Sequence, residues 1–91
     1  MSANNIDAAS IQQFCADYVG RLLGTPAERI DPNVDLDSLG LDSATAVALI
    51  MSLEEWLGLE LMPELLFEYP TIAALSNHLA TRVAVTAQRS A

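Results

Sequence analysis

The sequence predicts an all-α domain: a small bundle of four helices, the third short, with a long loop between helices one and two. Three observations predict it. The chain is 52% hydrophobic but carries only two Phe, two Tyr and one Trp. Its apolar load is therefore Leu, Ala, Val and Ile, which suits small packed helices better than a β-sandwich. Apolar residues recur at helical spacing in three separate stretches, and these stretches are bounded by helix start and stop residues. Ninety-one residues make one domain with nothing left over. A chain this short buries only about 60% of its unfolded surface, so its core must be simple.

Residues 1–6 read as a loose tail. Asp7 or Ser10 caps the first helix, and Ser10-x-x-Gln13 has the form of a capping box. Ile11, Phe14, Cys15, Tyr18, Leu22 and Leu23 then share one face, and Gly24 stops the helix. Within that stripe Cys15 reads as a small buried side chain and not as a nucleophile. Thr25-Pro26-Ala27-Glu28 is a second capping box, limited to a short turn by Pro32. From Asp31 to Asp42 the chain is loop, with Ile30, Val34, Leu36 and Leu39 as apolar points that pin it to the core. A long loop in a small domain is more often functional than idle.

Helix two is expected from Ser43 to Leu57, with Asp42 as N-cap and Gly58 beyond its end. Ala46, Leu49, Ile50, Leu53 and Leu57 form a core face. Ala44, Val47, Ala48 and Met51 form a second apolar face, where a surface helix should be polar. Pro63 can open a helix of one or two turns through Glu64-Leu65-Leu66-Phe67. Tyr69-Pro70-Thr71 breaks the chain and caps a last helix that carries Ile72, Leu75, Leu79 and Val83 on one face. Residues 85–91 are small and polar and read as a second tail, leaving a domain at 7–84.

Charge narrows the function. Four Arg, no Lys and twelve acids give a net charge of −8. Nucleic acid and anionic membrane surfaces would repel such a chain. Partners with basic docking surfaces would be steered toward it. A lone cysteine and an N-terminus with neither basic nor apolar run fit a cytoplasmic protein. No stretch approaches the ~18 apolar residues of a membrane span.

Two motifs resemble sites that they do not complete. Asp31-x-Asn33-x-Asp35-x-Asp37, with Asp42 at the twelfth position, resembles a calcium loop. Its sixth position is Leu36 where the sharp turn needs Gly, and Asp42 is shorter than the bidentate Glu. No metal site is expected. Gly40-Leu41-Asp42-Ser43-Ala44 lacks the second glycine of a nucleophile elbow, and the only histidine, His78, falls in the middle of the last helix. With no lysine and no glycine-rich phosphate loop, the chain offers no catalytic residues, and it is not expected to be an enzyme. Ser43 itself sits where first-turn amides are unpaired and the helix dipole is positive, so a phosphate ester there is electrostatically favoured. A carboxylate beside it, Asp42, could hold a metal ion that carries the incoming phosphate. Local physics leaves open the alternative that Ser43 is only a helix-start residue.

These residues carry a family likeness. Leu39-Gly40-Leu41-Asp42-Ser43 resembles the attachment motif of acyl carrier proteins, whose core is commonly Asp-Ser-Leu with a preceding Gly. Phe67-Glu68-Tyr69-Pro70-Thr71, followed by Ile72 and Leu75, is similar to the segment joining helices three and four in polyketide-synthase carrier domains. The likeness runs from Ile11 to Val83. It implies a four-helix bundle and a 4′-phosphopantetheine group on Ser43, transferred from coenzyme A by a phosphopantetheinyl transferase. Acyl groups would ride on its terminal thiol as thioesters, and Asp42 would assist modification or docking. Leu41, Ala44, Val47, Ala48 and Met51 would meet partners: the transferase, an acyltransferase or acyl-activating ligase, and a ketosynthase or other polyketide-pathway enzymes. A monomer is expected.

The sequence departs from the family pattern in two places. Ala44 stands where a bulky apolar residue usually follows the serine, and Ala46 and Ala48 stand where acids often appear. Docking should therefore lean on apolar contact through Val47 and Met51. Peptidyl carriers usually have a second Gly where this chain has Leu41, so the polyketide type fits best. Met1 and the short tails suggest a discrete protein, although an excised domain would read the same. The alternatives are a peptidyl or aminoacyl carrier, an unmodified helical interaction module, and a calcium sensor.

Overall fold

Asp7 starts the first helix, its Oδ1 accepting from the Ser10 amide at 2.9 Å. In the computed structural model, which describes residues 6–89 (side chains to Val85), the helices are α1 (Ala8–Leu23), α2 (Ser43–Leu57), α3 (Leu65–Glu68) and α4 (Ile72–Arg89). A 3-10 turn at Ala27–Arg29 follows α1. This is the predicted all-α bundle with a short third helix and a long loop between the first two. Residues 1–5 and 90–91 lie outside the described residues, so most of the expected N-terminal tail does too. Among the described residues, no helix is long and apolar enough to cross a membrane.

Capping follows the sequence at most ends. Asp42 caps α2, and Thr71 Oγ1 accepts from the Ala74 amide at 3.1 Å. Gly24 and Gly58 close α1 and α2 at φ 68° and 69°. Neither expected capping box forms. Asp7 takes the Ser10 amide, Gln13 Nε2 donates instead to Asp17, and no side chain caps the turn after Pro26. α3 starts two residues past Pro63, whose carbonyl accepts from the Leu66 amide. The last helix runs on to Arg89, past the point at 85 where small polar residues suggest fraying; Ala and Gln in that stretch are good helix formers.

The core joins Ile11, Cys15 and Val19 of α1, Leu49, Ile50 and Leu53 of α2, and Ile72, Leu75 and Leu79 of α4. Ile30 and Leu36 are buried with them and Leu39 packs partly on them, so three of the four expected points pin the long loop; Val34 is half-buried and is not part of that core. It is also stitched to the α3–α4 junction: Leu36 N–H donates to Pro70 O at 2.9 Å, and Ala73 N–H to Pro32 O at 2.8 Å. Gly20 lets the chain after α1 fold back closely, since a Cβ there would lie 2.5 Å from Thr25 O.

The expected stripe on α1 ends too late. Leu22 and Leu23 are 45% and 38% exposed, while Ala16 and Val19 are buried. α1 approaches α4 and the 3-10 turn closely, on its α2 side an open groove begins at Tyr18, and burial along the helix ends at Gly20. Ala46, Leu57 and Val83 are half-buried where full burial was expected, and Ile6, assigned to the tail, packs partly on the core.

Cys15 is fully buried. Burial pushes its thiol up to about 12, against the opposing effect of the neighbouring Ser76 hydroxyl. Ser76 Oγ is itself buried and makes no geometrically sound hydrogen bond; the thiol beside it is a weak partner. A thiol whose folded pKa is raised keeps the native state proton-rich. Its stabilising contribution is present below ~8.5, the unfolded thiol's pKa, and is lost as pH climbs toward 12. The urea midpoint should therefore fall steeply above pH 9. Cys15→Ala, destabilised at pH 7 by its small cavity, should close the gap with the wild type by pH 11. A gap that stays constant with pH would show that the thiol is not responsible.

Candidate functional site

The site is built at the N-terminus of α2. The loop reaches it through Gly40, which holds φ 96°, a value a side chain would strain. Leu41 then turns into the core, 6% exposed. Asp42 and Ser43 emerge at the surface, and Ser43 is the first residue of α2.

Asp42 is held tightly for an exposed residue. Its Oδ1 accepts from the Thr45 amide at 2.9 Å and from Thr45 Oγ1 at 2.9 Å, and its carbonyl also accepts from Thr45 Oγ1. The Thr45 amide and hydroxyl hold its carboxyl below the usual range. Both carboxylate bonds use one oxygen. Ser43 is thereby displayed beside a fixed anionic group at the positive end of a helix dipole.

A cleft of about 420 Å³ opens next to Ser43. Its apolar walls include Ala46 and Val47 of α2 and Leu66 and Phe67 of α3, and Asp35 and Asp37 of the loop also line it. Phe67 is 86% exposed, an unusual position for one of two phenylalanines. Such a pocket is small and largely apolar, with a few polar groups at its edge, the usual character of a ligand cleft. On the other flank of α2 a more open groove of about 530 Å³ is lined by Tyr18, Ala48, Met51, Ser52, Glu54 and Glu55.

The second apolar face of α2 is therefore real but divided. Ala44 is exposed, Val47 faces the cleft, and Ala48 and Met51 face the groove, with Met51 62% exposed. Leu41, expected among the partner-meeting residues, is mostly buried beneath the loop yet lines the cleft beside Ser43. Sequence reasoning misses the α3 side of the cleft (Pro63, Leu66, Phe67); the signal present there is the Phe67–Thr71 run. Among the described residues, no group of three His, Cys, Asp or Glu could hold a metal ion. Asp31 Oδ1 is taken by the Asn33 amide and Asp42 Oδ1 by Thr45. His78 stacks on Tyr69, ring centroids 4.2 Å apart.

Against known proteins, a family model described as the phosphopantetheine attachment site matches residues 14–79. The match covers more than half of the chain, and the chain belongs to this family, whose cofactor is bound covalently to a serine. It is 40% identical over 85 residues, 88% of its length, to a phenolphthiocerol/phthiocerol polyketide synthase polypeptide of Mycobacterium tuberculosis. It is 32% identical over 79 residues, 87% of its length, to the polyketide synthase PksM of Bacillus subtilis. The chain spans only 6% and 2% of the length of these two relatives. Among solved structures it is similar to an acyl carrier protein from Anabaena with a variant phosphopantetheinylation-site sequence. That pair has a TM-score of 0.80 and 36% identity, over 85% of this chain and 88% of the other. It is equally similar to a free-standing peptidyl carrier protein from an Acinetobacter baumannii secondary metabolic pathway, with a TM-score of 0.79 and 36% identity, over 85% and 96%.

Proposed function

We propose that Ser43 is the serine that bears 4′-phosphopantetheine, and that the chain presents acyl or polyketide intermediates to biosynthetic enzymes in the cytoplasm. The observation that carries this is the position of Ser43: exposed, first in α2, beside a fixed carboxylate and at the mouth of an apolar cleft. The group fits these residues. The unpaired amides of the first turn favour a phosphate ester, and the cleft offers apolar wall to what extends from it. When bound, the group supplies a terminal thiol on which acyl groups ride as thioesters.

The chain's own residues do the rest. Ser43 Oγ forms the bond to the incoming phosphorus and gives up its proton; adenosine 3′,5′-bisphosphate leaves from coenzyme A. Asp42, locked by Thr45, is placed to help position a metal ion that the modifying enzyme brings. The chain is then a covalently modified substrate of its partners and not itself an enzyme. Those partners are a phosphopantetheinyl transferase, an acyltransferase or acyl-activating ligase, and a ketosynthase or related enzyme. Tethering raises the effective concentration of the intermediate at each of them.

The partner surface we assign is Ala44, Val47, Ala48 and Met51. Exposed apolar residues on a helix whose neighbours are acidic favour a partner with apolar pockets and a basic surround. Val47→Asp should raise the Kd of the modified protein for a ketosynthase by on the order of tenfold or more, read by calorimetry. Unchanged binding would move the docking surface off α2.

The test of the whole reading is intact-protein mass before and after incubation with coenzyme A, magnesium and a broad-specificity transferase. A gain of one phosphopantetheine mapped to the Ser43 peptide supports it; no gain from folded protein leaves a helical interaction module. A second reading, a peptidyl or aminoacyl carrier, is favoured by the likeness to the Acinetobacter protein. Loading by an amino-acid-adenylating enzyme with refusal of acyl substrates would select it.

A further inference from the structure

The connection from Gly58 to Glu64 is irregular, yet one of its atoms is fixed. Leu61 N–H donates to Glu54 Oε2 at 2.8 Å across seven residues. Leu61 is 3% exposed and Glu54 is half-buried. A buried amide without a partner is costly, and a bond to a carboxylate is of the stronger, charge-assisted kind. Directly downstream, Leu65 N–H bonds to Met62 O and Leu66 N–H to Pro63 O, so the chain enters α3 from a point set by Leu61.

α3 has four residues and no side-chain cap. A helix that short does not hold itself in place. Its far end is held by Tyr69 stacked on His78 and by Pro70 O accepting from Leu36 N–H. Its near end has the Glu54–Leu61 bond. Between these tethers lie Pro63, Leu66 and Phe67, one wall of the cleft beside Ser43. Glu54 lines the groove on the opposite flank of α2 and is not part of the cleft.

We propose that Glu54 is a positioning residue: its carboxylate latches the α2–α3 connection through Leu61 and thereby fixes the α3 wall of the cleft. The role in cargo handling rests on the reading that Ser43 bears the arm. It acts entirely through the backbone of a neighbouring segment. Loss of the latch loosens the wall without changing any side chain of the cleft or the core, on which Leu61, Leu65 and Leu66 still pack.

The test compares wild type, Glu54→Ala and Glu54→Gln, the last of which keeps a carbonyl acceptor. Amide hydrogen exchange is measured on each unmodified protein. Hydroxylamine cleavage of a hexanoyl thioester is measured on each modified one. Glu54→Ala should speed exchange at Leu61 and Leu65–Tyr69 on the order of tenfold, with the core amides of α1 and α4 unchanged. It should also speed thioester cleavage several-fold, and Glu54→Gln should restore most of both. Equal exchange in all three proteins overturns the latch. A rise spread evenly over the core reduces Glu54 to a general stabiliser and overturns it too. Local loosening with unchanged cleavage overturns its action on the cleft. If the wild type accepts no phosphopantetheine, the carrier reading fails and the cleft role with it, while exchange still decides whether the latch exists.

Discussion

Ser43→Ala abolishes the coenzyme A-dependent mass gain and leaves the helical content and thermal unfolding of the protein nearly unchanged. This is the largest effect expected, because the substitution removes the only atom to which the arm is proposed to attach. The fold should not notice. Ser43 is exposed, and the cap of α2 is Asp42 with Thr45. Surface substitutions of this kind stay within about 0.5 kcal/mol, and Ala is the better helix former. Mass spectrometry and circular dichroism on one preparation check both halves. Full modification of the variant would place the attachment elsewhere.

The second large effect is on stability. Leu53→Ala should cost ~2–5 kcal/mol, the transfer loss of a buried leucine plus the cavity it leaves. Leu53 is 0% exposed at the centre of the core. The total stability of a domain is only about 5–15 kcal/mol, and short chains fall at the low end. The variant should lose a large part of its cooperative urea transition at 25 °C. Met51→Ala, two positions along the same helix but 62% exposed, should shift the midpoint by less than a tenth as much free energy. Comparable losses at both positions would show that the assigned core face of α2 is rotated.

What is legible in the sequence is mostly local. Asp42 as cap, Ser43 as first helical residue, Gly58 as stop and the stripe of Ile72, Leu75 and Leu79 depend on near neighbours, and periodicity reads near neighbours well. The misreadings share a different cause. Leu22 and Leu23 have the right spacing for burial, but burial needs a partner, and where the core stops along α1 is not written in α1. Ser10 and Asp7 both offer a cap, and only the backbone path of Ile6–Asp7 decides between them. Leu41 belongs to the attachment motif, and its burial beneath the loop beside the cleft depends on packing that the motif does not spell out. The cleft and the Glu54–Leu61 bond join residues from separate elements or across an irregular connection. No spacing rule reports them. The stacks of Phe14 on Trp56, with centroids 4.6 Å apart, and of Tyr69 on His78 are hidden for the same reason.

The sealed position of Cys15 has a practical side. The polypeptide has one cysteine, and in the folded protein that thiol is out of reach and un-ionised at neutral pH. A maleimide added to the native, modified protein has a single target, the end of the arm. Label per chain then counts the molecules whose arm is empty, with no need to engineer the cysteine away. An arm that holds cargo has its sulfur tied up and stays dark until the thioester is cleaved. The same tube can thus report occupancy in time, read as fluorescence gained when cargo leaves.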